Sequence, residues 1–425
     1  MRRYVRLIPF VALLAATPGA ANANAMEIFD RVVGFAEDTF KATQRAPDGP
    51  PPFRVGLMLP KSGQMREAAA RIARGWEIAL QMSDGYVAVR PVDLIIGDTG
   101  EGPDAAVEAA TEMSNDTPID VFAGVLGART AGAMAAYTAD RGTPLVLAGA
   151  IGEGVMSGRC RDNVVRTSFN IGPYQETSGR FIAGKIPTLA TLGPDSRGGH
   201  RIISRFVRAY RAGGGRIIEQ FWAPAKRKYD WSAILSRTAL HGPQAVYAFF
   251  EGRNAESIVH QHSRNGINKT VNLIGPEWLF DPRVMTKRGK HADGLKFLSS
   301  FLPDLDSSEN RIFVDAYRKK YSEDPDSYAY MGYENALAVL LTAADLDGQV
   351  HDGAAFVETM KKVAYDHLMP RGDFGFNESN SAFLTKLFWV EVDYRDGRTR
   401  MKRLGSVPID PDTTTCKRQT AERAR

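Results

Sequence analysis

From Phe53 onward, short apolar runs alternate with helical stretches, and the alternation comes in two series. In the first, strands are expected at 55–59, 92–96, 121–125 and 144–147, with helices at 65–82, from Pro103, and at 130–140. In the second, strands are expected at 164–169, 189–192, 216–222, 245–250 and 271–274, with helices at 174–185, 200–212, 231–239 and 254–265. Continuous apolar runs flanked by helices mark parallel strands covered on both faces. Two such series predict an α/β fold of two doubly wound parallel-sheet lobes, built from right-handed crossovers. A strand at 295–301 then leads back toward the first series. Helices at 309–321, 328–346 and 353–363 and a late strand at 387–393 complete the body.

The ends read differently. Arg2, Arg3 and Arg6 precede an apolar stretch over 7–16, and Ala21-Asn22-Ala23-Asn24-Ala25 offers two A-x-A cleavage sites. That is the pattern of a signal peptide, 1–25, on an exported chain. Residues 26–45 have a helical apolar face, and Pro47–Pro52 forms a stiff linker. Lys and Arg number 54 against 49 Asp and Glu, a formal net charge of +5. The excess sits largely in the signal and in Lys417, Arg418, Arg423 and Arg425, so the body predicts no nucleic-acid partner. The basic tail reads as a solvated terminus. Cys160 and Cys416 are the two cysteines. In an oxidising compartment an even pair favours a disulfide, and two separate thiols are the other reading.

Catalytic signatures are weak. Gly179–Lys185 has phosphate-loop spacing, but Ile186 replaces Ser/Thr and the segment lies in a helical pattern. No G-x-S-x-G elbow exists. His260 and His262, two apart, point to different helix faces and read as polar surface, and no metal site is expected. No cofactor motif is present. These absences point away from an enzyme.

The residues instead outline a cleft. In parallel α/β sheets, ligands bind beyond the carboxyl ends of the strands. Those ends carry Ser62 and Gln64, then Ala128, Arg129 and Thr130, then Ala150 and Ile151, then Glu251, Glu277 and Trp278. The helix opening near 128–130 offers free N–H groups to a carboxylate. Arg129 fits either a bidentate contact to that group or an exposed helix start. Glu277 fits a ligand amine or a local cation, and Trp278 fits a stacking platform or the core.

Several segments, in order, carry a family likeness: Val55-Gly-Leu-Met-Leu-Pro-Lys-Ser-Gly63, Gly97-Asp98-Thr99, 124–130, Thr143–Ala150, Val165-Arg166-Thr167-Ser168, Tyr229-Asp230-Trp231-Ser232, Gly275-Pro276-Glu277, and Phe313–Tyr321 followed by Pro325 and Tyr333-Glu-Asn-Ala336. Over about 53–405 the chain resembles the type I periplasmic solute-binding proteins of ABC importers, of the leucine/isoleucine/valine-binding type. The resemblance implies a periplasmic binding protein-like I fold of two lobes joined by three hinge crossovers. Lobe 1 would comprise 53–170 plus 301–370, lobe 2 would comprise 171–300 plus 371–405, and 406–425 would be a tail. It implies a periplasmic monomer that grips a small polar organic solute and delivers it to an ABC permease in the inner membrane. A ligand-sensing subunit feeding a membrane receptor is the alternative use. Glu277 would take the place of the acid that holds a ligand ammonium. Ala128 stands where a serine helps hold the carboxylate, and Ile151 where a threonine lies. Arg197 stands where an aromatic is common, and Glu251 where a tyrosine is. Such departures extend the expected ligand from amino-acid-like solutes to aromatic acids and amides. Pairing of Cys160 with Cys416 resembles relatives that bind aromatic acids or amides.

Overall fold

The computed structural model describes residues 49–412, apart from 101, 153, 155, 157, 224–229, 281–284, 286–287, 351 and 366–367, together with 416–418. For 158–160, 253 and 416–418 it describes the backbone only. The signal segment, the helix expected at 26–45 and residues 419–425 lie outside the described residues.

The first lobe opens with β1 (Phe53–Leu59), α1 (Arg66–Met82), β2 (Tyr86–Val87), β3 (Arg90–Asp98), α2 (Pro103–Asp116), β4 (Val121–Leu126), α3 (Ala128–Ala139), β5 (Leu145–Gly149), β6 (Gly158–Cys160) and β7 (Val164–Arg166). The second contributes α4 (Ile171–Ala183), β8 (Thr188–Pro194), α5 (Arg197–Ala212), β9 (Arg216–Ala223), α6 (Ser232–Leu240), β10 (Ala245–Ala248), α7 (Gly252–Arg264), β11 (Asn272–Pro276) and β12 (Lys296–Ser299). The chain returns through α8 (Ser308–Tyr321), α9 (Ser327–Asp345) and α10 (Gly353–Lys362), then adds β13 (Lys386–Arg395), β14 (Arg398–Pro408) and β15 (Cys416–Arg418).

The two sheets share one winding. Lobe 1 orders its strands β2-β3-β1-β4-β5-β7, and lobe 2 orders them β14-β13-β12-β11-β10-β8-β9. In each, the first strand (β1 or β8) has its successors on both sides, parallel to it. The strand order therefore reverses beside β1 and beside β8, where open α/β sheets hold ligands.

Lobe 1 buries its sheet because β1 carries side chains that pack on both faces, with Val55, Leu57 and Leu59 on one side and Met58 on the other. Helix α1 sets Ile72, Trp76 and Ala79 on the face it packs against the core. Helix α9 starts at Asp326, whose carboxylate accepts from the Ala329 N–H at 2.9 Å. The two helices nearly touch: a Cβ on Gly332 would fall 2.1 Å from the Ile72 carbonyl oxygen, and one on Gly75 would fall 2.2 Å from that of Ala329. Trp76 Nε1 donates to Asn335 Oδ1 at 3.0 Å, and Asn335 donates on to Val146 O and Thr167 Oγ1.

Three crossovers join the lobes: 166–171, 299–308, and the passage between α10 and β13. Arg166 binds the first to the third through a bridge to Ser381 and a 3.0 Å bond to its hydroxyl. The segment at 295–301 belongs to the second sheet through β12, and the crossing follows it. One further element was not expected from the sequence. The stretch after Asp396 forms β14, an exposed edge strand antiparallel to β13. The chain after Pro408 passes back over the hinge. There Asp412 accepts from Asn170 at 3.3 Å and from Asn377 at 3.1 Å, and β15 pairs in parallel with β6.

Candidate functional site

The carboxyl ends of the two sheets face each other. On lobe 1, the loop after β1 is held by Asp98 at the end of β3. Its Oδ1 accepts from the Lys61 and Gly100 backbone N–H groups, each at 2.9 Å, and those bonds pull its carboxyl below the ordinary range. The loop then presents Ser62 and Gln64 to solvent. Opposite, lobe 2 brings Glu251 and Gly252. A Cβ on Gly252 (φ +58°) would lie 2.8 Å from the Gln64 carbonyl oxygen. The Tyr328 hydroxyl, on α9, donates to Glu251 Oε1 at 3.3 Å. Burial pushes the Glu251 carboxyl up, and the tyrosine bond opposes that. The lobes are therefore in contact along this edge, and glycine is required where the backbones meet.

A second group surrounds the end of β4. Val125 adopts φ +64°, between Gly124 at +87° and Gly127 at +83°. A β-branched residue in that region is strained by roughly 1–3 kcal/mol. On either side of it, Gly124 pairs with Leu147 and Leu126 with Gly149. Gly127 and Ala128 follow at the end of the strand. Helix α3 begins there without a side-chain cap. Thr130 is buried, and Arg129 is exposed. Ala150 is buried, and its carbonyl, with that of Gly152, accepts from Arg166 Nη1 at 3.1 and 3.0 Å. The Ile151 carbonyl accepts from the Ile171 N–H at 3.0 Å, which fixes the loop to the start of α4.

Between this loop and lobe 2 lies a cavity of about 450 Å³. Ala128, Gly152 and Gly154 form one wall, and Gln175 of α4 with Gly198, Arg201, Ile202 and Arg205 of α5 form much of the other. Arg197 sits at the first turn of α5, exposed, and does not line it; Arg201, one turn on, does. Arg205 pairs with Glu176 at 2.5 Å. The Tyr247 hydroxyl donates to Gln175 Oε1 at 2.5 Å. Gln175 Nε2 is buried with no hydrogen-bond partner.

Glu277 and Trp278 lie apart from this cavity, on a single helical turn after β11. They line a separate space of about 370 Å³ with Phe301, Asp326 and Tyr328 among others. Glu277 is already engaged. Its Oε2 accepts from Ser299 Oγ at 2.7 Å and Ser300 N at 2.8 Å, and its Oε1 accepts from Ser300 Oγ at 2.7 Å. Burial pushes its carboxyl up to about 7, against the pull of those bonds. Trp278 is 3% exposed and packs on Tyr174, Phe169 and Phe249 at 5.4, 6.2 and 6.1 Å between ring centroids, so the core position describes it.

The candidate residues thus fall in three places. Ser62, Gln64 and Glu251 flank the lobe contact, Ala128 lines the cavity with Ala150 and Ile151 close behind, and Glu277 and Trp278 support the hinge. Sequence reasoning missed Arg201, Gln175 and Arg166. A repeat of arginines at 197, 201 and 205 on one helix was the available signal for the first. His262 corrects the surface reading: it is 2% exposed, its Nε2 is 2.8 Å from the Val271 carbonyl, and burial lowers its pKa. His260 stands 2.7 Å from Arg288 Nη1. Gly179, from the rejected phosphate-loop spacing, lies inside α4, where a Cβ would fall 2.5 Å from the Phe206 carbonyl oxygen. Cys160 and Cys416 fall on the paired strands β6 and β15, Cys160 opposite Arg418 and Cys416 opposite Gly158.

The family model for periplasmic binding proteins matches residues 52–398. The chain belongs to the periplasmic binding protein family. Among solved structures, it is similar to the solute-binding protein of an ABC transporter from R. palustris in complex with benzoate (24% identity, 85% of this chain and 98% of that one, TM-score 0.77). A solute-binding protein from Rhodopseudomonas palustris in complex with 3,4-dihydroxybenzoic acid is similar at 23% identity, over 85% and 98% of the two chains, with a TM-score of 0.77. A leucine-binding protein from Thermotoga maritima is similar at 19% identity, over 84% and 98%, with a TM-score of 0.72. These likenesses establish the fold. No curated protein matches the chain.

Proposed function

We propose that this chain is the periplasmic substrate-binding component of an ABC importer, closing its two lobes on a small polar organic solute and handing it unchanged to a permease. One observation carries the reading: the two points of reversed strand order face each other, and a cavity of about 450 Å³ is walled from both lobes. The three crossovers supply a hinge, and a ligand that contacts both walls favours the closed form by its extra contacts there. The matched family and the ABC solute-binding proteins among its structural neighbours support the same role. Export by the segment 1–25 and a monomeric state belong to this proposal.

We also propose a Cys160–Cys416 disulfide. Its support is the ribbon of β6 and β15, which brings both strands together with the cysteines two positions out of register. A bond spans about 4.4–6.8 Å between Cα atoms, so the ribbon must slip for it to form. Peptide mapping without reductant reads this directly, and two alkylated thiols in the exported protein would refute it.

The importer reading is tested by thermal shift on protein freed of ligand by partial unfolding and dialysis. Ligand that binds only the folded state raises Tm, by an amount set by its concentration over Kd. A shift with at least one member of a panel of amino acids, aromatic acids, amides and polyols is expected. A well-folded protein that shifts with none of them contradicts the reading.

A further inference from the structure

We propose that lobe 2 holds the charge of the ligand, with Arg201 and Gln175 Nε2 as donors to the carboxylate of a small organic acid that has no ammonium group. This rests on the importer reading above and names its substrate class. The cavity wall on lobe 1 is small and neutral: Ala128, Gly152 and Gly154 give room and backbone groups without charge. The opposing wall is cationic, and no acidic side chain lines the cavity among the described residues.

Two donors there are uncommitted. Arg201 has no hydrogen-bond or ion-pair partner among the described residues. Its Nη1 reaches across to lobe 1, 3.6 Å from where a Cβ on Gly154 would sit. Gln175 is fully buried, and Tyr247 fixes its amide by occupying Oε1. That leaves Nε2 as a buried donor with nothing to bond. Such a group costs about 1–3 kcal/mol unless an acceptor meets it, and in a native protein it calls for a reason. A carboxylate between Arg201 and Gln175 supplies the acceptor, and the guanidinium supplies a charge-assisted, bidentate partner.

The same geometry excludes an ammonium. Among the described residues the cavity offers it no carboxylate, and Glu277 stands in another space with three bonds from Ser299 and Ser300. An α-amino acid would bury its charge unpaired there, which is costly.

The test is calorimetric titration of the full exported protein with benzoate, 4-hydroxybenzoate and butanoate, against benzamide and leucine. Binding of at least one acid is expected, with benzamide and leucine at least ten times weaker. Arg201→Gln should raise Kd for that acid by about 10-fold or more, from the range for a hydrogen bond to a charged group. Gln175→Glu should do the same by placing a like charge at the site. Arg197→Gln, on the same helix but outside the cavity, should leave Kd unchanged, and circular dichroism checks that each variant folds. If benzamide or leucine binds better than the acids, or Arg201→Gln and Gln175→Glu bind the acid as wild type does, the inference is overturned while the importer reading stands. If no solute of the broader panel binds at all, both fall.

Discussion

The two lobes share a strand order but use charge in opposite ways. Lobe 1 holds a charge pair in its interior. Arg71 pairs with Asp326 at 2.9 Å with both side chains 6% exposed, and Glu334 pairs with Arg371 of the third crossover at 2.9 Å, almost wholly buried. Its wall of the cavity is Ala128, Gly152 and Gly154. Lobe 2 sets arginines on the exposed face of α5, and one of them faces the cavity with no partner among the described residues. Interior pairs position a backbone, whereas an uncommitted guanidinium at a cleft can meet a ligand. A shared order of the parallel strands therefore supports a shaping half and a recognising half.

The largest effect that probes this contrast comes from Asp326→Asn. It keeps a helix cap but leaves Arg71 buried without its counter-ion, and about 3–5 kcal/mol of stability should be lost in denaturant unfolding. Arg201→Gln, on the exposed side of lobe 2, should unfold at the wild-type midpoint. Equal losses for the two would erase the distinction between the lobes. Next come the helix contacts. Gly332→Ala places a methyl 2.1 Å from a carbonyl oxygen in lobe 1, and Gly179→Ala places one 2.5 Å from a carbonyl oxygen in lobe 2. Both should lower Tm, the first more, with a loss on the order of 3 kcal/mol from overpacking. The reverse ranking would mean that the lobe 1 helices yield more easily than their packing implies.

The smallest effect is confined to one pH window and sits at the hinge between the lobes. Burial raises Glu277 from 4.5 to about 7, so the folded protein holds that proton more tightly than the unfolded chain. The associated stability is fully present below about 4.5 and is lost as pH rises through 7. Glu277→Gln should remove this component from a plot of Tm against pH between those values. Superimposable slopes for wild type and variant would show that Glu277 titrates normally.

Much of the architecture was legible in the letters. The strands β1, β4, β5, β8, β10 and β11 are largely apolar because both faces are covered, and that pattern survives without any partner in view. Strand β14 was not legible. Its residues Arg398, Arg400, Lys402 and Arg403 are charged and exposed, and its place comes mainly from hydrogen bonds to β13. The tail strand β15 is similar, since its pairing with β6 depends on a segment some 250 residues away. The site was half legible. Strand ends pointed to Ala128, Glu251 and Glu277, but spacing could not tell Arg197 from Arg201. One turn of helix separates them, and only the crossing of α4 and α5 selects which enters the cavity.

What the sequence determined by itself was local and periodic: the alternation of strands and helices, their division into two lobes, and the strand ends that ligands visit. These follow from the apolar pattern, which each segment carries alone. The tertiary structure decided which polar groups are already satisfied. Glu277 is spent on Ser299 and Ser300, Arg166 on the hinge, and Gln175 keeps a donor free. A hydrogen bond or ion pair exists only when two groups distant in the chain meet within about 3 Å, and no run of letters specifies that meeting.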